Sequence, residues 1–119
     1  MANTARYAGD TKAARTAFVR LRERYPGDRT ASLAAFSLGK LAIDTEGNPA
    51  EAARWFRTFL QESPRGDLAA GARARLINAL LEMGDRKGAE AVARDYLAFH
   101  PDGPQRDTAR ALLGTTKSR

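Results

Sequence analysis

The sequence predicts an all-α protein, a solenoid of antiparallel helix hairpins, and three observations carry that prediction. Residue columns recur in register: Gly9-Asp10, Gly47-Asn48 and Gly84-Asp85 are separated by 38 and then 37 residues, and the same steps connect Pro26, Pro64 and Pro101. Ala14, Ala52 and Ala89 keep those steps, as do Phe18, Phe56 and Ala93, and Leu21, Phe59 and Tyr96. Between the markers apolar residues recur at helical intervals, and alanine dominates the apolar set, which suits closely packed helices.

Each element follows from local chemistry. A helix is expected over 11–25, opened by the Gly9-Asp10 turn and closed by Pro26, with residues 1–8 supplying only the end of a preceding helix. Gly-Asp or Gly-Asn gives a flexible turn and a side chain that caps the next helix; proline cannot continue a helix and biases its predecessor away from one. The second helix, over 30–44, reads "ASLAAFSLGKLAID", apolar almost all round, as for a helix packed on both sides. The third, over 49–62, carries Ala52, Phe56 and Phe59, with Trp55 beside them as a packing residue. The fourth, over 67–83, sets Ala72, Leu76, Ala79, Leu80 and Met83 along one stripe. In the fifth, over 86–99, Ala89, Val92, Ala93, Tyr96 and Leu97 share a face. A last helix over 104–114, with Arg106, Asp107 and Arg110 outward, is a cap for the apolar end of the array. The units are 9–26 (partial), 30–64 and 67–101, followed by the cap, in a single domain over 1–119. Tyr25 and Tyr96 are expected between hairpins with their hydroxyls near solvent.

Composition narrows function. At 119 residues and 12.9 kDa there is room for one modest core. The chain has no cysteine and one histidine, which rules out disulfides, thiolate or histidine-built zinc sites and a cysteine nucleophile. The charge of +6 arises from basic residues mixed with Asp and Glu along every segment, the pattern of a solvated face. No apolar run approaches the ~20 residues of a membrane span, and "MANTARYAGD" has no apolar core like a secretory signal. His100 ends its helix, where an imidazolium would favour the C-terminus, but its column holds Tyr25 and Ser63, so the repeat does not require histidine there. Asp44 and Glu46 lie at a turn without an apolar pocket, and no phosphate-loop spacing occurs. The expectation is no enzyme, no cofactor and no metal.

The columns carry a resemblance. "LINALLEMGDRKGAEAVARDYLAFHP", Leu76 to Pro101, resembles the tetratricopeptide repeat, with Ala89, Ala93, Tyr96 and Pro101 at that motif's spacings, and Leu38 to Pro64 matches it with one extra residue before Gly47-Asn48. The period exceeds the standard of about 34, as in the repeats of bacterial envelope proteins, and a cell-envelope or periplasmic setting is the corresponding expectation. Ala35 and Arg73 occupy a column that often holds an aromatic residue. The resemblance implies a right-handed superhelix that binds a peptide or partner helix, without catalysis, in the groove lined by the first helix of each hairpin. Carried over by column, the groove residues are Leu33, Phe36, Lys40, Ile43 and Asp44, then Ala74, Asn78, Leu81 and Glu82. Phe36 and Ile43 fit groove and core equally, with residues 1–8 or an upstream helix as cover in the second case.

Two other roles stay open. Cut repeats at both ends imply a piece of a longer protein and allow a spacer or self-association through the terminal helices. The arginines of the second helices, Arg15, Arg20, Arg22, Arg24, Arg54, Arg57, Arg86, Lys87 and Arg94, offer a surface to nucleic acid or anionic lipid, but interspersed acids and pairs such as Glu90-Arg94 favour a solvated face.

Overall fold

The structure, a computed structural model, describes residues 2–117, with side chains for 9–114. Six α-helices follow one another: α1 Ala2–Arg24, α2 Arg29–Lys40, α3 Pro49–Glu62, α4 Asp67–Glu82, α5 Arg86–Phe99 and α6 Arg106–Lys117. Among the described residues there is no strand. Each helix packs on the next along the chain, giving a helical solenoid in a flat body of 51 × 37 × 20 Å.

The punctuation works as its chemistry requires. The backbone N–H groups of Tyr25, Ser63 and His100, each one residue before a proline, donate to Leu21, Phe59 and Tyr96 at 3.0, 2.7 and 2.7 Å. Beyond that bond the proline halts the helix. At the opposite turns Gly47 and Gly84 take φ of 61° and 78°, a conformation only glycine adopts freely. Asn48 Oδ1 then accepts from Glu51 N at 3.1 Å and Asp85 Oδ1 from Gly88 N at 2.9 Å, each capping the following helix.

The first turn departs from this pattern. Gly9-Asp10 lies inside α1, which runs unbroken from Ala2 instead of starting at 11, and Gly9 is not among the glycines of positive φ. Turn chemistry permits a break without compelling one. At 47–48 and 84–85 the same kind of pair separates two helices that pack on each other across the turn.

The extra residue before Gly47 also has a location. After Lys40 the helix widens into a π-helical turn, Leu41–Thr45, so α2 proper ends four residues before the expected 44. Asn48 N donates to Ala42 O at 2.8 Å, and one hairpin later Asp85 N donates to Leu80 O at the same 2.8 Å. Ala42 and Leu80 are the same column, so an equivalent closing bond spans one more residue at the first hairpin. The π turn absorbs an insertion and leaves the turn geometry intact. Smaller differences are the start of α6 at 106 and its end at 117.

The core is the set of aligned columns. Ala52 and Ala89, Phe56 and Ala93, and Phe59 and Tyr96 are buried, as are Leu38, Leu76 and Leu80 from the facing helices. Their counterparts on α1, Ala14, Phe18 and Leu21, are only half-buried. Gly39 lets α2 and α3 approach closely: a Cβ there would lie 2.7 Å from the Phe56 ring. Met83, the last residue of the expected α4 stripe, is 46% exposed. Tyr96 departs from expectation as well, since its buried hydroxyl accepts the Gln105 N–H at 2.8 Å and does not face solvent.

Candidate functional site

A groove of about 500 Å³ opens between α4 and α6. Its α4 wall is made small by Ala70, Gly71 and Ala74, one side of a helix at 3.6-residue spacing, and a Cβ added to Gly71 would meet nothing. The opposite wall is Gln105, Thr108 and Ala109. That wall is held in place from below. The Tyr96 hydroxyl receives the Gln105 N–H, Gly103 N donates to His100 O at 2.9 Å, and a side chain at Gly103 would collide with the Tyr96 ring. Asn78 and Arg75 stand at one end of the groove and Asp67 at the other. Arg75 also reaches Asp44 of the π turn at 3.6 Å, a loose and exposed pair. The arrangement offers amide, hydroxyl and charged groups around an apolar floor, which suits holding a peptide backbone while a small side chain enters.

The structure distributes the sequence-predicted residues unevenly. Ala74 and Asn78 line this groove. Leu33 lies instead in a smaller cleft of about 240 Å³ with Arg29, Ser63 and Leu68. Phe36 packs edge-on against Phe56 and Phe59, with ring centroids 5.7 and 5.2 Å apart, and Ile43 also packs against the core. Both are half-buried, with one part of each side chain against the core. The proposed cover by residues 1–8 depends on side chains outside those described. Lys40, Leu81 and Glu82 are exposed and line none of these cavities, and Asp44 joins the site only through Arg75. Gly71, Gln105 and Thr108 were not expected. A glycine in the middle of an otherwise good helix was the available signal for the first.

Two enclosed arginines, Arg22 and Arg73, have different partners. Arg22 donates to Ala31 O at 2.7 Å and holds Glu62 with two nitrogens, at 3.1 and 2.8 Å, while Ser32 Oγ donates to the same carboxylate at 2.9 Å. The Arg22 hydrogen bonds, aided by Ser32, hold the Glu62 carboxyl below its usual range against the opposing effect of burial. Arg73, which fills the column where an aromatic residue was expected, is buried, and its Nη1 donates to Pro64 O at 2.7 Å and to His100 Nε2 at 2.8 Å. Its guanidinium lies 4.1 Å from the Phe99 ring centroid. Burial, then the Arg73 charge, lowers the His100 pKa, against a weaker pull from Asp67. An imidazolium is thus disfavoured here, contrary to the helix-end argument.

Among the described residues, half of the arginines of the odd-numbered helices are matched by acids. Arg15 pairs with Glu46, Arg54 with Glu51 at 2.7 Å, and Arg86 with Glu90 at 3.1 Å. Glu90 therefore uses Arg86, four residues before it, and not Arg94 as expected, because it turns inward and is 9% exposed while Arg94 is exposed. Among the described residues, no helix is long and apolar enough to cross a membrane. Nor do three or more potential metal ligands gather among them.

A sequence profile described as tetratricopeptide repeat matches residues 45–113, more than half of the chain, and a second with the same description matches residues 1–28. The chain belongs to the tetratricopeptide-repeat family. Repeats of this family generally mediate protein–protein interaction. No curated protein has a matching sequence. The longer match covers α3, α4 and α5 and reaches into α6, so the tetratricopeptide-repeat region includes both walls of the groove. The shorter match spans Gly9-Asp10, where the repeat pattern continues in sequence although α1 does not turn.

Proposed function

We propose that this tetratricopeptide-repeat chain is a non-catalytic interaction module that receives an extended segment of a protein partner in the groove between α4 and α6. The observation that carries the reading is the groove wall itself. Ala70, Gly71 and Ala74 remove side-chain bulk from α4 beside three hydrogen-bonding side chains, Asn78, Gln105 and Thr108. Asn78 is also where the family resemblance puts a residue that holds a ligand backbone. A scaffold role follows from such binding, and the long repeat period supports a cell-envelope setting.

The decisive substitution is Gly71→Leu. Open space around Gly71 lets the leucine enter the groove without a clash, and leaving glycine for leucine strengthens α4 by about 0.5–1 kcal/mol. Peptides selected from a random display library on the wild-type protein should lose binding to Gly71→Leu and weaken about tenfold on Asn78→Ala. Equal binding to the filled groove would place the partner surface elsewhere.

A further inference from the structure

Arg22 and Arg73 occupy matching kinds of environment, and only Arg22 has a carboxylate bound directly to it. Each gives a nitrogen to a backbone carbonyl at 2.7 Å, Ala31 for Arg22 and Pro64 for Arg73. Each also lies over an aromatic ring, Trp55 at 5.6 Å and Phe99 at 4.1 Å. Arg22 has in addition a carboxylate held by two nitrogens, Glu62. Arg73 is 5% exposed, yet among the described residues no carboxylate is within ion-pairing distance and only Nη1 is hydrogen-bonded. A buried guanidinium needs a counter-charge more than an exposed one does, because water screens it less.

Arg73 lines a cleft of about 300 Å³ between α3 and α5, floored by Leu60, Leu76 and Val92. Arg57 and Gln61 stand on one wall and Asp95 on the other, all three exposed. By helical spacing Arg73 and Leu76 are on the side of α4 opposite Gly71, Ala74 and Asn78, so the cleft is separate from the groove. Arg57 is likewise without an ion pair among the described residues. Two arginines and an amide donor on an apolar floor suit one carboxylate and an apolar neighbour. Asp95 favours the charged form of Arg73 against burial and leaves the cleft a net charge of about +1 with Arg57, which matches one carboxylate and disfavours a phosphate dianion or a polyanion.

We propose that this cleft is a second docking site, taking a single Asp or Glu side chain of a protein partner onto Arg73 and Arg57. The partner's carboxylate does for Arg73 what Glu62 does for Arg22. Its flanking apolar side chain covers Leu60 and Val92. The site is independent of the groove, so loss of one leaves the other.

The test uses the whole chain at low ionic strength, with the blocked tripeptide acetyl-Leu-Glu-Leu-amide, its Gln counterpart, and inorganic phosphate as probes. NMR should show saturable shifts at Gln61, Val92, Asp95 and the Arg73 Nε–H with the Glu peptide, in the millimolar range expected for one ion pair and one apolar contact. The Gln peptide should bind at least about fivefold more weakly. Arg57→Gln, an exposed change that leaves the fold alone, should weaken the Glu peptide by a similar factor. Arg73→Ala should abolish the shifts, and Ala35 in the same column shows that the hairpin accommodates alanine there. Equal shifts with the Gln peptide, unchanged affinity in Arg57→Gln, or shifts at Asn78 instead would each overturn the proposal. So would phosphate binding the same residues as tightly as the Glu peptide, since the site would then be one for anions at large.

Discussion

Arg73 Nη1 and His100 Nε2 are 2.8 Å apart, linking the middle of α4 to the end of α5. Arginine is always a donor, so Nε2 is the acceptor and the neutral ring carries its proton on Nδ1. A second proton, on Nε2, would set two donors, and two positive charges, against each other.

Stability should therefore depend on the His100 proton. The folded-state pKa is depressed below the ordinary 6.5 by burial and by Arg73, with Asp67 opposing. The unfolded chain binds the proton more readily, so the contribution is present above about pH 6.5 and is lost as pH falls through the folded-state pKa. Melting temperatures between about pH 5 and 8 should fall on the acid side in wild type, and the slope should shrink in His100→Gln. Identical slopes would show that the pair contributes nothing.

Gly39→Ala tests the close approach of α2 and α3. The added Cβ would meet three atoms of the buried Phe56 ring at 2.7–2.9 Å, and overpacking of this kind outweighs the gain in helix propensity. A net loss of about 1–2 kcal/mol is expected in urea unfolding. Combining it with Phe56→Leu should cost less than the sum of the two single changes. Strict additivity would mean that the two positions do not touch.

Gly9→Ala tests the unbroken α1. Gly9 is an exposed position inside a helix with no neighbour near an added Cβ, so alanine should raise stability or helical content by up to about 0.5–1 kcal/mol. In a turn like those at Gly47 and Gly84 the same change would strain a positive φ. A fall in melting temperature would thus contradict the helix.

The parts of this fold legible in the sequence are those decided within a few residues. Proline, Gly-Asx turns and the 3.6-residue stripe placed α3 to α5 because each acts through its own backbone or its immediate neighbours. Gly9-Asp10 shows the limit: the same kind of pair turns the chain at 47–48 and 84–85 but lies inside a helix at 9–10, so the local pair alone does not decide a turn. Arg73 shows another. Its burial depends on Pro64, Phe99 and His100, brought together from two other segments, and no local pattern announces that. In the groove, Ala74 and Asn78 followed from the repeat column, whereas Gln105 and Thr108 depend on how the loop after Pro101 is tied to the Tyr96 hydroxyl.

The π turn at Leu41–Thr45 has a consequence for how such arrays change length. An added residue ordinarily rotates everything after it on a helix by about 100° and would carry Phe56 and Phe59 out of the core. Here one widened hydrogen-bond ring takes up the surplus, and the next hairpin starts in phase. Repeat length can drift by a residue inside a helix, and not only in loops, without disturbing the stacking of later units.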